Sequence, residues 1–192
     1  MVFRRQRRGL ARLLRRFGRG DKGVVAVEMA MAMPVILALI LSGIEVTRYV
    51  LLNQKVERAA ATMADLTSQS PVMTEAEIQG LFFATSNVLT PYDLAADGRV
   101  IVSSIARSGG GDATIRWQRA FGAGGGASTY GLEGAVANLP VGFVVRDGEN
   151  VIVTEVFYDF QPILVGTVLA AGPIYSAALF RPRFGSLASI QP

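Results

Sequence analysis

The chain has 192 residues, 19 of them basic and 15 acidic, and contains neither cysteine nor histidine. Without thiols there is no disulfide framework and no thiolate chemistry. Without imidazole the commonest general base and the commonest metal ligand are both missing.

The formal charge of +4 hides an asymmetry. Residues 1–22 hold nine basic side chains (Arg4, Arg5, Arg7, Arg8, Arg12, Arg15, Arg16, Arg19 and Lys22) against one acid, Asp21, so the rest of the chain is net acidic. A basic tail on an acidic body points to a partner for the tail, either nucleic acid or an anionic membrane face. The run that follows decides for the membrane.

Residues 24–44 are apolar except for Glu28. As a helix they span about 31 Å, close to the thickness of the hydrocarbon layer. Pro34 inside the run predicts a bend. Basic residues cluster before the run and charges balance after it, which predicts a cytoplasmic N-terminus and a C-terminal part on the far side. An ordinary secretory signal would be shorter, and the small residues of "AAATMA" (59–64) lie too far beyond the run to serve as its cleavage site.

The helix is expected to continue in water. Tyr49, Val56 and Met63 recur every seven residues, as do Leu52, Ala59 and Leu66, giving an apolar seam. The seam fits packing against the chain's own globular part or against a partner helix. Neither Gly nor Pro interrupts residues 45–70, and Pro71 ends the segment.

Four segments are predicted: a basic leader (1–23), a transmembrane helix (24–44), its extramembrane continuation (45–70) and an α+β domain (71–192). In the domain, Thr74 followed by Glu77 predicts a capped short helix. Strands are predicted over 99–107, 113–121, 150–160 and 174–182. "SGGGD" reads as a hairpin loop, and "GAGGGASTYG" (122–131) as a longer, flexible, solvent-exposed one. Residues 161–173 read as a short helix or a buried loop. The expected fold is α+β: one antiparallel sheet, with one face covered by the long helix and a small helix.

The glycine clusters lack the Lys-Ser/Thr of a phosphate loop and do not open a helix as a dinucleotide motif would. The acids are scattered singly. No paired carboxylates, activated nucleophile or metal-ligand spacing is visible, so no catalytic residue, cofactor, metal or small-molecule substrate is expected. Trp117 and the strand aromatics read as sheet residues, without the basic interleaving of a nucleic-acid surface.

Glu28 is the exception. A carboxylate inside a membrane segment is a functional candidate whose cation has to be named. Lys22 and Arg19 are possible partners. So is a free ammonium on Val24, should the chain be cut after Gly23; opposite charges in lipid attract strongly, within one chain or between subunits.

Lys22-Gly23, four apolar residues, Glu28 and a long apolar helix resemble the type IV prepilin cleavage motif. The fuller run "DKGVVAVEMAMAMPVILALILSGIEVTRYVLLNQKVERAA" resembles the N-terminus of TadE-like minor pseudopilins of tight-adherence (Flp-type) pilus systems. "VFYDFQPIL" and "YSAALFRPR" are similar to that family's C-terminal end. One position departs: Met29 stands where the family usually has Phe or Tyr.

The resemblance implies cleavage between Gly23 and Val24 by an inner-membrane prepilin peptidase. It implies that Glu28 neutralises a neighbouring subunit's new amine and sets register during assembly. The implied partners are the membrane, the peptidase, other pilins or pseudopilins and pilus assembly proteins. The implied location is the bacterial inner membrane, with a periplasmic C-terminal domain and possible entry into a surface pilus. An uncleaved single-pass scaffold of an envelope or secretion complex is the alternative.

Overall fold

The computed structural model describes residues 22–163 and 169–192. Residues 1–21 of the basic leader and residues 164–168 of the apolar 161–173 segment lie outside the described residues. The chain divides into two units, Met1–Ile44 and Glu45–Pro192.

Helix α1 runs Lys22–Gln69 and contains Pro34. Within the first unit its side chains from Gly23 to Ile40 are exposed almost throughout, among them Met31, Leu39 and Ile40. Over Gly23–Gln69 the helix is long and apolar enough to cross a membrane.

In the second unit the remainder of α1 lies on a four-stranded antiparallel sheet. Strands β2 (Gly98–Ala106), β3 (Thr114–Phe121), β4 (Asn150–Phe160) and β5 (Gly172–Phe180) are ordered β3-β2-β4-β5. β4 pairs along its whole length with β5, from Ile152 opposite Phe180 to Phe160 opposite Gly172. A register shift at Ser104/Ile105 leaves Arg116 as the extra residue of a bulge in β3. The fold is thus α+β, as the alternating strands and the long helical run predict.

Period-2 alternation gives the sheet two buried faces. On one, Val100, Val102, Trp117, Ile152, Val156, Tyr158 and Phe160 pack with Leu52, Val56, Ala59, Ala60 and Met63 of α1. Helix α2 (Glu75–Leu89) adds Ile78, Phe82 and Leu89. Its start is fixed by a reciprocal capping box between Thr74 and Glu77. Its C-terminal end is held by Lys55 of α1, whose Nζ donates to the carbonyls of Val88 (3.3 Å) and Thr90 (2.8 Å). Tyr49 meets Phe160 edge-on at 5.2 Å, and Phe82 stacks on Phe121 at 5.6 Å. A short helix, α3 (Leu94–Asp97), capped by Asp93, leads into β2.

The other face carries Ile105, Ile115, Val151 and Val153, and it is roofed by the long β3–β4 connection through Tyr130 and Val145. Within the glycine-rich stretch 122–131, Ala123, Gly125, Gly126, Ala127 and Thr129 are exposed, as expected, while Gly124 and Tyr130 are buried. The glycines are there for close approach. A Cβ on Gly122 (φ +97°) would lie 2.2 Å from the Gly98 carbonyl oxygen, and one on Gly126 (φ +130°) would lie 2.5 Å from the Phe157 ring. Backbone hydrogen bonds from Ala123 to Ala95 (2.8 Å) and from Gly124 to Gly98 (2.9 Å) anchor the loop's first turn.

The C-terminal segment closes the helix-side core at the other end of the strands. Leu187 is buried, and its carbonyl accepts from Trp117 Nε1 (2.8 Å) and Ser104 Oγ (2.7 Å). Its N–H donates to Asn150 Oδ1 at 3.3 Å. Two-residue strands β1 (Met73–Thr74) and β6 (Ile190–Gln191) then pair in parallel.

Candidate functional site: the anchor helix and three carboxylates

Glu28 is the one ionisable residue of the apolar run, and it is exposed on α1. Among the described residues it makes no ion pair and no side-chain hydrogen bond. Of the cations considered for it, Arg19 and the side chain of Lys22 lie outside the described residues. Gly23 and Val24 sit in the first turn of α1, and a Cβ on Gly23 would touch nothing. A carboxylate in such a stretch is costly unless a cation meets it.

A second carboxylate stands immediately after the apolar run. Glu45 is 1% exposed. It accepts from Arg48 Nη1 (3.2 Å) and from the backbone N–H of Ile163 (3.0 Å), which ties the β4–β5 connection to α1. Tyr92, beyond α2, donates its hydroxyl to the Arg48 carbonyl at 3.3 Å. One turn of helix therefore gathers two segments of the second unit, the β4–β5 connection and the chain beyond α2.

The predicted seam residues divide. Leu52, Val56, Ala59 and Met63 are buried against the sheet and α2, and Tyr49 is partly buried against the same cluster. Leu66 is 37% exposed and belongs to neither core cluster. The outer side of the helix carries exposed Val46, Val50 and Leu51.

The third carboxylate, Glu155 of β4, is fully buried on the loop-covered face. Its Oε1 accepts from the Thr129 N–H (2.8 Å), the Thr129 hydroxyl (2.7 Å) and the Tyr175 hydroxyl (3.0 Å). Its Oε2 accepts a short bond from the Ser128 hydroxyl. Among the described residues no cation pairs with it, so neutral donors alone satisfy the charge. Burial, with a contribution from Glu155, pushes the Tyr175 phenol up to about 12. Burial and the nearby Asp97 do the same to Tyr158, also to about 12. On the helix side, Arg119 hydrogen-bonds Glu75 at the start of α2 and holds that carboxyl below its ordinary value.

Sequence reasoning passed over Glu45 and Glu155. A signal for Glu155 was present: it stands in register with Val151, Val153 and Phe157, so alternation makes it an inward residue. Glu45 follows the apolar run directly and reads from sequence as an ordinary flanking charge.

Residues 23–65 match the family model described as TadE-like protein. No curated protein and no solved structure matches the chain. The matched stretch opens at Gly23, takes in Glu28, the apolar run and Glu45, and ends two residues past Met63. That helix is similar to the TadE-like family model, which covers 43 of the chain's 192 residues.

Proposed function

We propose that this protein is a minor pilin-like subunit that takes part in assembling a type IV-related adhesive pilus and that it works by helix packing, not by catalysis. The observation that carries this reading is the TadE-like match over residues 23–65, laid on a helix whose apolar half holds a single exposed carboxylate. The basic leader holds the precursor with its N-terminus in the cytoplasm. The unit from Glu45 onward is then periplasmic.

A prepilin peptidase of the inner membrane cuts between Gly23 and Val24. Both residues are helical here, so cleavage requires the first turn of α1 to unwind, which costs little at a helix end. The new ammonium of Val24 and the carboxylate of Glu28 on a neighbouring subunit then neutralise one another in lipid. That pairing fixes axial register as subunits meet. Other pilins, pseudopilins or assembly proteins are the neighbours.

The N-terminal sequence of the membrane-resident protein tests the reading. A start at Val24 that disappears when the peptidase is absent supports it. A retained Met1 in the presence of the peptidase overturns the processing and favours a single-pass scaffold of an envelope complex. Separately, Glu28→Ala is expected to leave membrane insertion intact and to lower pilus number and recovery of partner subunits. Unchanged values of both remove the role given to Glu28.

A further inference from the structure

Ala106 of β2, Thr114 of β3 and Asn150 of β4 stand in line at one end of the sheet. A cavity of about 340 Å³ opens there, between the β2–β3 turn, the Gly148–Glu149 turn and the C-terminal segment. A second, of about 270 Å³, adjoins it, shares Gly148, Glu149 and Ser186, and adds Arg181.

The larger cavity is lined by two arginines, Arg107 and Arg116. Arg107 is braced by neutral acceptors: its Nε donates to the Gly111 carbonyl (2.8 Å) and its Nη1 to that of Val145 (3.5 Å). Arg116 is the extra residue of the β3 bulge, a device that re-aims a side chain out of the regular alternation. Its Nη2 donates to Ser108 Oγ at 2.5 Å, which holds it over the β2–β3 turn. Among the described residues neither arginine pairs with a carboxylate.

Glu149 is the one acid in the lining, and its charge is already met. Arg146 and Arg181 approach its two oxygens at 3.8 and 3.6 Å, and the Arg146 N–H donates to Oε2 at 3.1 Å. Two acids stand in the bordering turns without lining the cavity. Asp147 accepts from the Gly110 N–H at 3.0 Å, and Asp112 is exposed.

The opposite wall is set by Leu187, whose carbonyl is held by Trp117 and Ser104, so that Ser186 and Ser189 on either side of it reach the cavity. Guanidinium groups with no acid of their own select an oxyanion, because their forked donors match carboxylate and phosphate. The cavity is in the size range of small-molecule sites, about 300–1,000 Å³, and exceeds what a bare oxyanion fills. Serine hydroxyls across from the arginines suit a polyol body.

We propose that this cavity binds a polyol of sugar size that bears a phosphate or a carboxylate. Arg107 and Arg116 hold the anionic group, and Ser186 and Ser189 hold ring hydroxyls. The site lies wholly within the unit from Glu45 onward and draws on no residue of α1, so it stands apart from the pilus reading.

The test titrates the full chain, in nanodiscs of zwitterionic lipid, with glucose 6-phosphate, glucuronate, inorganic phosphate and glucose. The readout is the amide shifts of Gly148, Ser186 and Ser189. Both sugar anions move these amides saturably, glucose does not, and inorganic phosphate binds more weakly than either. Arg116→Gln, at an exposed position, weakens both sugar anions roughly tenfold and leaves the thermal transition in place. Arg107→Lys keeps the charge, loses the fork and weakens them as well. The same shifts in phosphatidylinositol nanodiscs without free ligand support the site and make a lipid headgroup its source; their absence there, with the free anions bound, makes the source soluble.

Glucose binding as well as the sugar anions would overturn the anion site, as would no saturable shift with any probe. Inorganic phosphate binding as tightly as glucose 6-phosphate would overturn the polyol. Unchanged affinity in both arginine variants would overturn the assignment of the two guanidinium groups.

Discussion

Glu155→Ala and Glu155→Gln, taken together, ask what the buried carboxylate does for the loop above it. Alanine removes the acceptor for four donors. The Thr129 N–H is fixed by the backbone, and a buried donor left unpaired costs about 1–3 kcal/mol. The hydroxyls of Ser128, Thr129 and Tyr175 can rotate, so each forfeits a charge-assisted bond but recovers part of it from another acceptor or from water. The expected total for Glu155→Ala is about 3–4 kcal/mol. Glutamine behaves differently. Its carbonyl oxygen at the Oε1 position accepts the same three bonds, and its amide nitrogen donates to Ser128 Oγ, since a hydroxyl accepts as well as donates. Its cost is expected to stay below about 1 kcal/mol, because the buried charge is removed while the geometry is kept. Two readouts on the full chain in detergent separate loop release from global unfolding. Chymotryptic cleavage after Tyr130, which is buried, reports the loop. Fluorescence of Trp117, the single tryptophan, reports the helix-side core in urea. Glutamine as damaging as alanine would refute the acceptor-geometry account. Alanine costing under about 1 kcal/mol would show that the loop is held elsewhere.

The seam makes a paired prediction: Leu52→Ala, fully buried, should lower stability by about 2–5 kcal/mol, whereas Leu66→Ala, 37% exposed, should cost a few tenths at most. Urea titration followed at Trp117 decides it, and equal effects would mean that the two sites do not differ in packing. Tyr158 and Tyr175 predict alkaline unfolding. Their folded values of about 12 exceed the ordinary value of 10, so the folded state binds the proton more tightly; their contribution is complete below pH 10 and is lost as pH rises towards 12. Replacing both by Phe should flatten stability over that interval, and an unchanged slope would contradict the assignment.

Where sequence logic succeeded, a local rule was enough. The capping box places the start of α2 because Thr74 and Glu77 satisfy each other's neighbourhood without outside help. β4 begins and ends at Asn150 and Phe160 as expected, because its alternation is dense and its flanks are turn residues. β5 is displaced by two residues, from the expected 174–182 to Gly172–Phe180. Arg181 leaves the sheet to pair with Glu149 across to the loop, a contact that no local pattern announces. The glycine-rich stretch was legible only in part, for a related reason. Glycine signals that backbone needs room, either for an unusual φ or for close approach, and composition alone cannot say which. Gly126 needs both, against Phe157. In the candidate site, the apolar run and Glu28 stand out in any reading of the chain, since an acid among aliphatic residues has no local explanation. Glu45 and Glu155 do not, because each owes its burial to segments more than a hundred, or more than twenty, residues away. β1 and β6 are two residues each and carry no periodicity to read.

The last stretch of chain has a consequence for biogenesis. Leu187 plugs the core and holds Trp117, Ser104 and Asn150, so the domain lacks its stopper until that segment has been made. A nascent chain that lacks Leu187 remains open at that end however well its helices have docked. Closure therefore waits on the segment that carries Leu187, and a bulky fusion placed near Ile190 would jam the step that seals the molecule.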